Sequence, residues 1–481
     1  MEQTRTASIP DVIKLAHQHY TEGRYRKAAN LAREVLKVSP NRPRALHLLG
    51  LVAYSRGRNN RAEQLISRAI NGRADLPEFH NSLGMTYMAM GRPADALATY
   101  QTALRLLPPS KSTIDLPRLY GNIANALNVM GRFEEAIAYH DKALAINPKD
   151  MTAAWNRAHI FLVRGEFAEG WKGYESRMQL PNRARLINPH KYASPRWDGT
   201  PFPDKTLLVH DEQGLGDIIQ FVRYLPLVKA LGGTVLFETR PAMLPILENF
   251  PGIDQLIARK AATEEHVDGD YHVPLISLPG LFGTTLENLP TGVPYLYSGT
   301  FKTAQWRERF ANSGLRVGVC WAGNLENIPL RHRACQLAQL APVLHQPGVH
   351  LYGLQKGPSA ADIDKLQPAL QFQNFGNKFE DFTDTAAMIA NLDLVITIDT
   401  AVAHLAGAMG KPVWMMLSFP PDFRWLLERE DCPWYPSMRI IRQRRPNDWE
   451  HVFARVRDDL TRLAAGDRSV LYPSGYTPAE G

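Results

Sequence analysis

Cysteine is scarce: three residues in 481, Cys320, Cys335 and Cys432, and no Cys-x-x-Cys pair. That excludes a disulfide framework and fits a reducing compartment. Long apolar runs are lacking too. No segment approaches the ~18–20 residues that span a bilayer. Met1 to Asp11 hold no apolar stretch of the kind a signal peptide carries. The expectation is a cytoplasmic protein without a transmembrane segment. Neither polar bias nor low complexity is marked, with 21% charged and 44% hydrophobic residues, so disorder and collagen-like structure are excluded. At about 150 residues per domain, the length allows roughly three domains, each large enough for its own core.

The net charge of +7 is unevenly placed. Residues 1–180 carry 25 Lys and Arg against 16 Asp and Glu, whereas the remainder carries 30 against 32. The basic excess, densest from Arg24 to Arg73, is either a solvated helical surface or one that attracts an acidic polypeptide or an anionic membrane. No aromatic-basic interleaving accompanies it, so nucleic acid is not the expected partner.

Glycines at positions 23, 57, 91, 131 and 165 recur at spacings of 34, 34, 40 and 34. Five residues after each comes Ala28, Ala62, Ala96, Ala136 or Gly170. Twelve before those stand Ala16, Gly50, Gly84, Ala124 and Ala158. Small residues at matched points let paired helices approach, and glycine accepts the left-handed turn between them. One such pair cannot bury its apolar stripe alone, so several must stack. The pattern over residues 11–178 resembles the tetratricopeptide repeat. The longer spacing implies an insertion within 109–118. Arrays of this kind offer a concave surface to a protein or peptide. The fifth unit ends in an aromatic-rich stretch, Gly170-Trp171-Lys172-Gly173-Tyr174, expected to dock on the domain that follows. Residues 179–203, rich in proline and poor in periodicity, read as a linker.

From Lys205 short β-rich runs alternate with helical ones, which predicts parallel strands with crossover helices. One series starts at Thr206–His210 and a second at Leu315, so two open α/β halves are expected with a cleft between them. The first strand leads into Gly214-Leu215-Gly216-Asp217. Glycines there permit backbone to approach a ligand, and Asp217 is either a helix cap or a general base. In the second half, Leu394–Ile398 is followed by Asp399-Thr400-Ala401-Val402-Ala403-His404. A buried strand passing directly to a helix exposes unpaired N–H groups that suit a diphosphate. Asp399 is a cap or a ligand, and His404, one turn along, is a ligand or a packed histidine.

These paired motifs, the second running on through Leu405-Ala406-Gly407-Ala408-Met409-Gly410-Lys411-Pro412, resemble the family 9, heptosyltransferase-like glycosyltransferases of GT-B fold over roughly residues 204–465. The repeats ahead of them resemble the repeat-containing branch of that family. The resemblance implies an α-helical solenoid followed by a GT-B unit of two Rossmann-like halves. Its parts are repeats 11–178, linker 179–203, acceptor half 204–300, nucleotide-sugar half 301–443, a bracing helix 444–465 returning to the first half, and a tail 466–481. It makes Asp217 the catalytic base, with Gly214 and Gly216 as its glycine loop. Asp399, Thr400, Ala401 and His404 then hold the donor diphosphate, with Arg333 as a cation, and Asn324 and Lys356 as further donor contacts. No metal or other cofactor is expected. The co-substrate is a nucleotide-diphosphate sugar, and Asp268-Gly269-Asp270 is read as a mimic of a metal motif just ahead of a strand. The implied activity is metal-independent inverting transfer to an acceptor hydroxyl, on a protein bound by the repeats. Two alternatives stay open: a scaffold with an inactive nucleotide-binding unit, and a lipopolysaccharide heptosyltransferase.

Overall fold

The computed structural model describes residues 8–107, 115–180, 192–260, 267–310, 313–324, 333–366, 372–419 and 421–477. Most of the expected insertion, residues 181–191 of the expected linker, Arg331, His332 and the last four residues lie outside them. The chain divides into two compact units, Met1–Ile160 and Phe161–Gly481.

The first unit is helical: α1 (Ile9–Thr21), α2 (Tyr25–Val38), α3 (Pro43–Ser55), α4 (Asn59–Gly72), α5 (Pro77–Ala89), α6 (Pro93–Arg105), α7 (Leu116–Val129), α8 (Phe133–Ile146) and the start of α9 (Met151–Val163). Proline opens α3, α5 and α6, where a missing amide proton costs nothing. Gly23, Gly57, Gly91 and Gly131 end the first helix of each pair with φ between 71° and 75°, a left-handed turn that penalises other residues. Ala16, Ala28, Ala62, Ala96, Ala124 and Ala136 are wholly buried. At Gly84 a Cβ would sit 2.4 Å from the Tyr100 ring, so close helix approach requires glycine there. Side-chain bonds step from repeat to repeat, as from Asn122 to Asn81 at 2.9 Å and from Asn156 to Asn125 at 3.1 Å.

The second unit opens with the end of α9, then α10 (Phe167–Tyr174) and a 3-10 turn, Glu175–Gln179. Two parallel sheets follow. The first orders its strands β3-β2-β1-β4, from β1 (Thr206–His210), β2 (Thr234–Thr239), β3 (Gln255–Ala258) and β4 (Tyr271–Pro274). The second orders them β10-β9-β8-β5-β6-β7, from β5 (Leu315–Cys320), β6 (Val349–Gly353), β7 (Gln373–Asn374), β8 (Leu394–Ile398), β9 (Val413–Leu417) and β10 (Met438–Arg442). The helices of this unit are α11 (Leu215–Phe221), α12 (Leu225–Lys229), α13 (Leu244–Leu247), α14 (Leu278–Leu281), α15 (Thr300–Arg307), α16 (Leu337–Leu344), α17 (Phe382–Ala390), α18 (Ala401–Ala408) and α19 (Trp449–Ala464). β8 and β9 are buried throughout, as strands covered on both faces must be.

Residues 192–203, the described part of the expected linker, pack onto the second unit. Tyr192, Trp197 and Phe202 are buried, and Trp197 N–H bonds the His272 carbonyl at 2.9 Å, because the edge strand β4 offers unpaired backbone groups. The helical stretch after the glycine loop is two helices joined by a 3-10 turn at Val222–Tyr224, with Pro226 in the first turn of the second. The bracing helix α19 does not return to the first half. Val452, Val456 and Leu460, one turn apart, join the buried cluster of Val317, Leu340 and Ile396 and so cover the second sheet. Among the described residues no helix is long and apolar enough to cross a membrane. All three cysteines are free and buried.

Candidate active site

β1 ends at His210, and the chain turns through Gln213, which takes φ of 62°, before Gly214 starts α11. Asp217 stands in the first turn of that helix. Its Oδ2 accepts the Gly214 N–H at 2.6 Å, and its Oδ1 accepts the Arg424 guanidinium. Asp217 is therefore a cap and an ion-pair partner at once. Its side chain stays 17% exposed, so a proton can still reach it. Burial pushes its pKa upward and Arg424 opposes that rise.

On the other side, β8 leads through Asp399 and Thr400 to α18. Thr400 is extended, with φ of −144°, and its hydroxyl lies 3.2 Å from that of Thr397 rather than on the helix N–H groups. Ala401 follows as the first helical residue, half-buried. Arg333 forms an ion pair with Asp399 Oδ2 at 2.7 Å and donates a hydrogen bond to Asp422 Oδ2 at 3.1 Å. Arg424 bonds the other Asp422 oxygen at 2.7 Å and the Gln220 amide oxygen at 2.6 Å. An alternating chain of charges thus runs Asp217, Arg424, Asp422, Arg333, Asp399, from one half to the other. Three carboxylates face two guanidinium groups, and each buried charge has an opposite partner, as burial demands. Burial raises the Asp399 pKa, against the pull of Arg333.

His404 is buried, its Nδ1 is 2.9 Å from the Tyr435 hydroxyl, and its ring packs on Trp425. Burial drives its pKa well below the ordinary histidine value, so the ring is neutral. A Cβ on Gly216 would lie 2.6 Å from the His404 ring, so α11 and α18 cross here at a separation only glycine allows. The loop after β5 lies beside the start of α18, since a Cβ on Gly323 would be 3.9 Å from Thr400 Cγ2. Gln355 braces that loop by accepting the Ala322 N–H at 2.9 Å and donating to the Ala322 carbonyl at 3.0 Å. Asn324 follows on the exposed side. Lys356 stands apart from the ion-pair chain: its ammonium bonds the Phe379 carbonyl at 2.7 Å.

The structure therefore gathers Asp217, Gly216, Arg333, Asp399 and His404 around one junction, with Gly214, Thr400, Ala401 and Asn324 at its edges. Arg424 and Asp422 were not anticipated. The available signal was a charged pair inside an otherwise apolar stretch, which needs buried partners. Asp268 takes the Ala193 and Ser194 N–H groups and Asp270 the Thr206 N–H, so both carboxylates brace backbone. Among the described residues no group of three or more metal-ligating side chains occurs.

Residues 13–77, 77–110 and 117–150 match the tetratricopeptide repeat, and residues 333–416 match glycosyltransferase family 9 (heptosyltransferase). Protein FlbA of Caulobacter vibrioides is 29% identical over 432 residues, covering 85% of this chain and 71% of that protein. Solved structures of MamA (20% identity, TM-score 0.30, 34% of this chain and 91% of that one) are similar to part of the chain. So is PilW, a widely conserved type IV pilus biogenesis factor (22% identity, TM-score 0.34, 40% and 85%). The chain thus joins segments that match the tetratricopeptide repeat to a segment that matches glycosyltransferase family 9. The latter supports glycosyl transfer, and the repeats support binding of another protein.

Proposed function

We propose that the second unit transfers a sugar from a nucleotide-diphosphate sugar to an acceptor hydroxyl, with inversion and without a metal ion, and that the acceptor is a protein carried by the repeats. The observation that carries this reading is the crossing of α11 and α18 at Gly216 and His404. It brings a partly exposed carboxylate and the unpaired N–H groups of a helix start to one junction between two halves.

In the reaction the acceptor oxygen attacks the anomeric carbon from the face opposite the diphosphate. Its proton passes to Asp217. The bond from the anomeric carbon to the diphosphate oxygen breaks, and its electron pair leaves on the diphosphate. The α18 N–H groups, the Thr400 hydroxyl and Arg333 meet that growing charge, and such preorganised donors contribute a few kcal/mol each. Arg333 already rests between Asp399 and Asp422, so it is held in place before the donor arrives. His404, neutral and fixed by Tyr435, serves as the packed floor on which Gly216 rests. Asn324 stands on the donor side of the second half, whereas Lys356, tied to the Phe379 carbonyl, is left out of the donor site.

Asp217→Asn provides the test. Turnover of UDP-, GDP- and ADP-linked sugars should fall by ~10²–10⁴ while donor KM holds, because only the proton acceptor is lost. Equal loss of both would make Asp217 a structural cap, and product with retained anomeric configuration would reject the single displacement.

A further inference from the structure

The ion-pair chain accounts for Asp217 and Arg424 but not for what holds their backbones. The segment Phe167–Gln179, the last piece of the repeat pattern, packs within the second unit and touches both sides of the junction. On the side of the base, Gln213, the residue before the glycine loop, donates its amide to Tyr174 Oη at 2.9 Å. Glu212, one residue earlier, is gripped by Arg177 through two bonds of 3.0 and 2.7 Å, with neither side chain exposed at all. Arg177 also bonds Ser277 Oγ at 2.8 Å, and Glu212 accepts the Ile276 N–H at 3.0 Å, so the pair is fully satisfied. The Trp171 ring stands edge-on to Phe221, the last residue of α11, at 6.2 Å. On the side of the arginine, Trp171 meets Phe423, the neighbour of Arg424, at 5.5 Å, and Phe167 meets Trp434 at 6.1 Å.

Both ends of the helix bearing Asp217, and the residue beside its arginine, therefore rest on one short segment from the repeats. A buried bidentate arginine–glutamate pair is costly to desolvate, and a packed apolar pair would stabilise the fold as well or better. What it adds is a fixed geometry at Glu212, five residues before the carboxylate. We infer that Tyr174 and Arg177 are positioning residues for the base, and that residues 161–180 are part of the catalytic unit rather than a spacer ahead of it. This rests on the transferase reading for its consequence in turnover, though not for its consequence in structure.

The test uses the full chain with two variants, Tyr174→Phe and the double Arg177→Met/Glu212→Gln. The second leaves no buried charge unpaired and keeps an acceptor for the Ile276 N–H. Hydrogen exchange should speed up at the amides of residues 213–218 in both variants and stay unchanged across β8 and α18. With a mixture of UDP-, GDP- and ADP-linked sugars as probe, kcat should fall by roughly tenfold to a hundredfold while donor KM holds, the mark of a misplaced reacting group. Unchanged exchange at 213–218, or loss of protection throughout the unit, would overturn the positioning role. Should the double variant fail to fold, Tyr174→Phe decides alone. If the unaltered chain turns over no probe, the transferase reading fails, and the exchange data still decide the positioning.

Discussion

Arg424 shows how one side chain can set the working range of another. It reaches Asp217, Gln220 and Asp422 from a single guanidinium, whose fork suits several partners at once. A base must be ionised to accept a proton, so activity falls as pH drops through its pKa. Burial raises the Asp217 pKa, with Asp422 and Glu212 adding to the rise, and Arg424 pulls it back. Arg424→Gln removes that pull. The acid limb of the kcat/KM profile should then move to higher pH, by about one to three units for the usual effect of a neighbouring cation. A pH–rate profile of the variant against the unaltered chain checks this, and a uniform loss with an unmoved limb would leave Arg424 only a structural part. The same residue marks where sequence reading stopped. Asp217, Asp399 and His404 sit at junctions of strand and helix, where one-dimensional pattern carries position. Arg424 acts across 207 residues of chain, and nothing local to it says which carboxylate it will meet.

At the level of elements the repeats were legible because each unit repeats the same steric demand: glycine at the turn, small residues at the crossings, large ones between. β1, β8, β9 and α19 begin and end where their apolar patterns do. What escaped was partnership. The stripe on α19 says that a face must be covered and not which sheet lies under it, and the edge of β4 recruits residues 192–203 through backbone groups that no side-chain pattern reveals. One element carries a defect of its own. His140 on α8 is wholly buried, and neither ring nitrogen has a hydrogen-bond partner among the described residues. Burial pushes its pKa down to about 4. Its unfolded value is near 6.5, so between those limits the unfolded chain binds more protons and stability falls as pH falls. His140→Leu removes the unsatisfied group and the titration together. The full chain should gain about 1–3 kcal/mol at neutral pH and more near pH 5, as read by chemical denaturation at the two conditions. A loss of stability at both would mean that the imidazole fills its site better than leucine does.

For the whole molecule the question is where the catalytic machinery begins. Sequence periodicity assigns residues up to 178 to the repeats, yet Phe161–Gly481 forms one compact unit, and the segment from Phe167 to Gln179 supplies contacts to Glu212, Gln213, Phe221 and Phe423. Periodicity records how a segment pairs with its neighbours in sequence, while packing records what it serves, and here the two disagree by one helix, α10. A chain beginning at Met151 keeps α9 and α10 whole and so keeps those contacts. It should hydrolyse nucleotide sugars at a rate close to that of the full chain, while transfer to a protein acceptor, which relies on the removed repeats, should vanish. A chain beginning at residue 192 should lose both, because Glu212 is then buried without its arginine, a loss that is strongly destabilising. Measuring donor hydrolysis and protein glycosylation side by side on the three lengths separates the parts. Transfer to protein surviving in the Met151 form would place acceptor recognition in the second unit and leave the repeats another task.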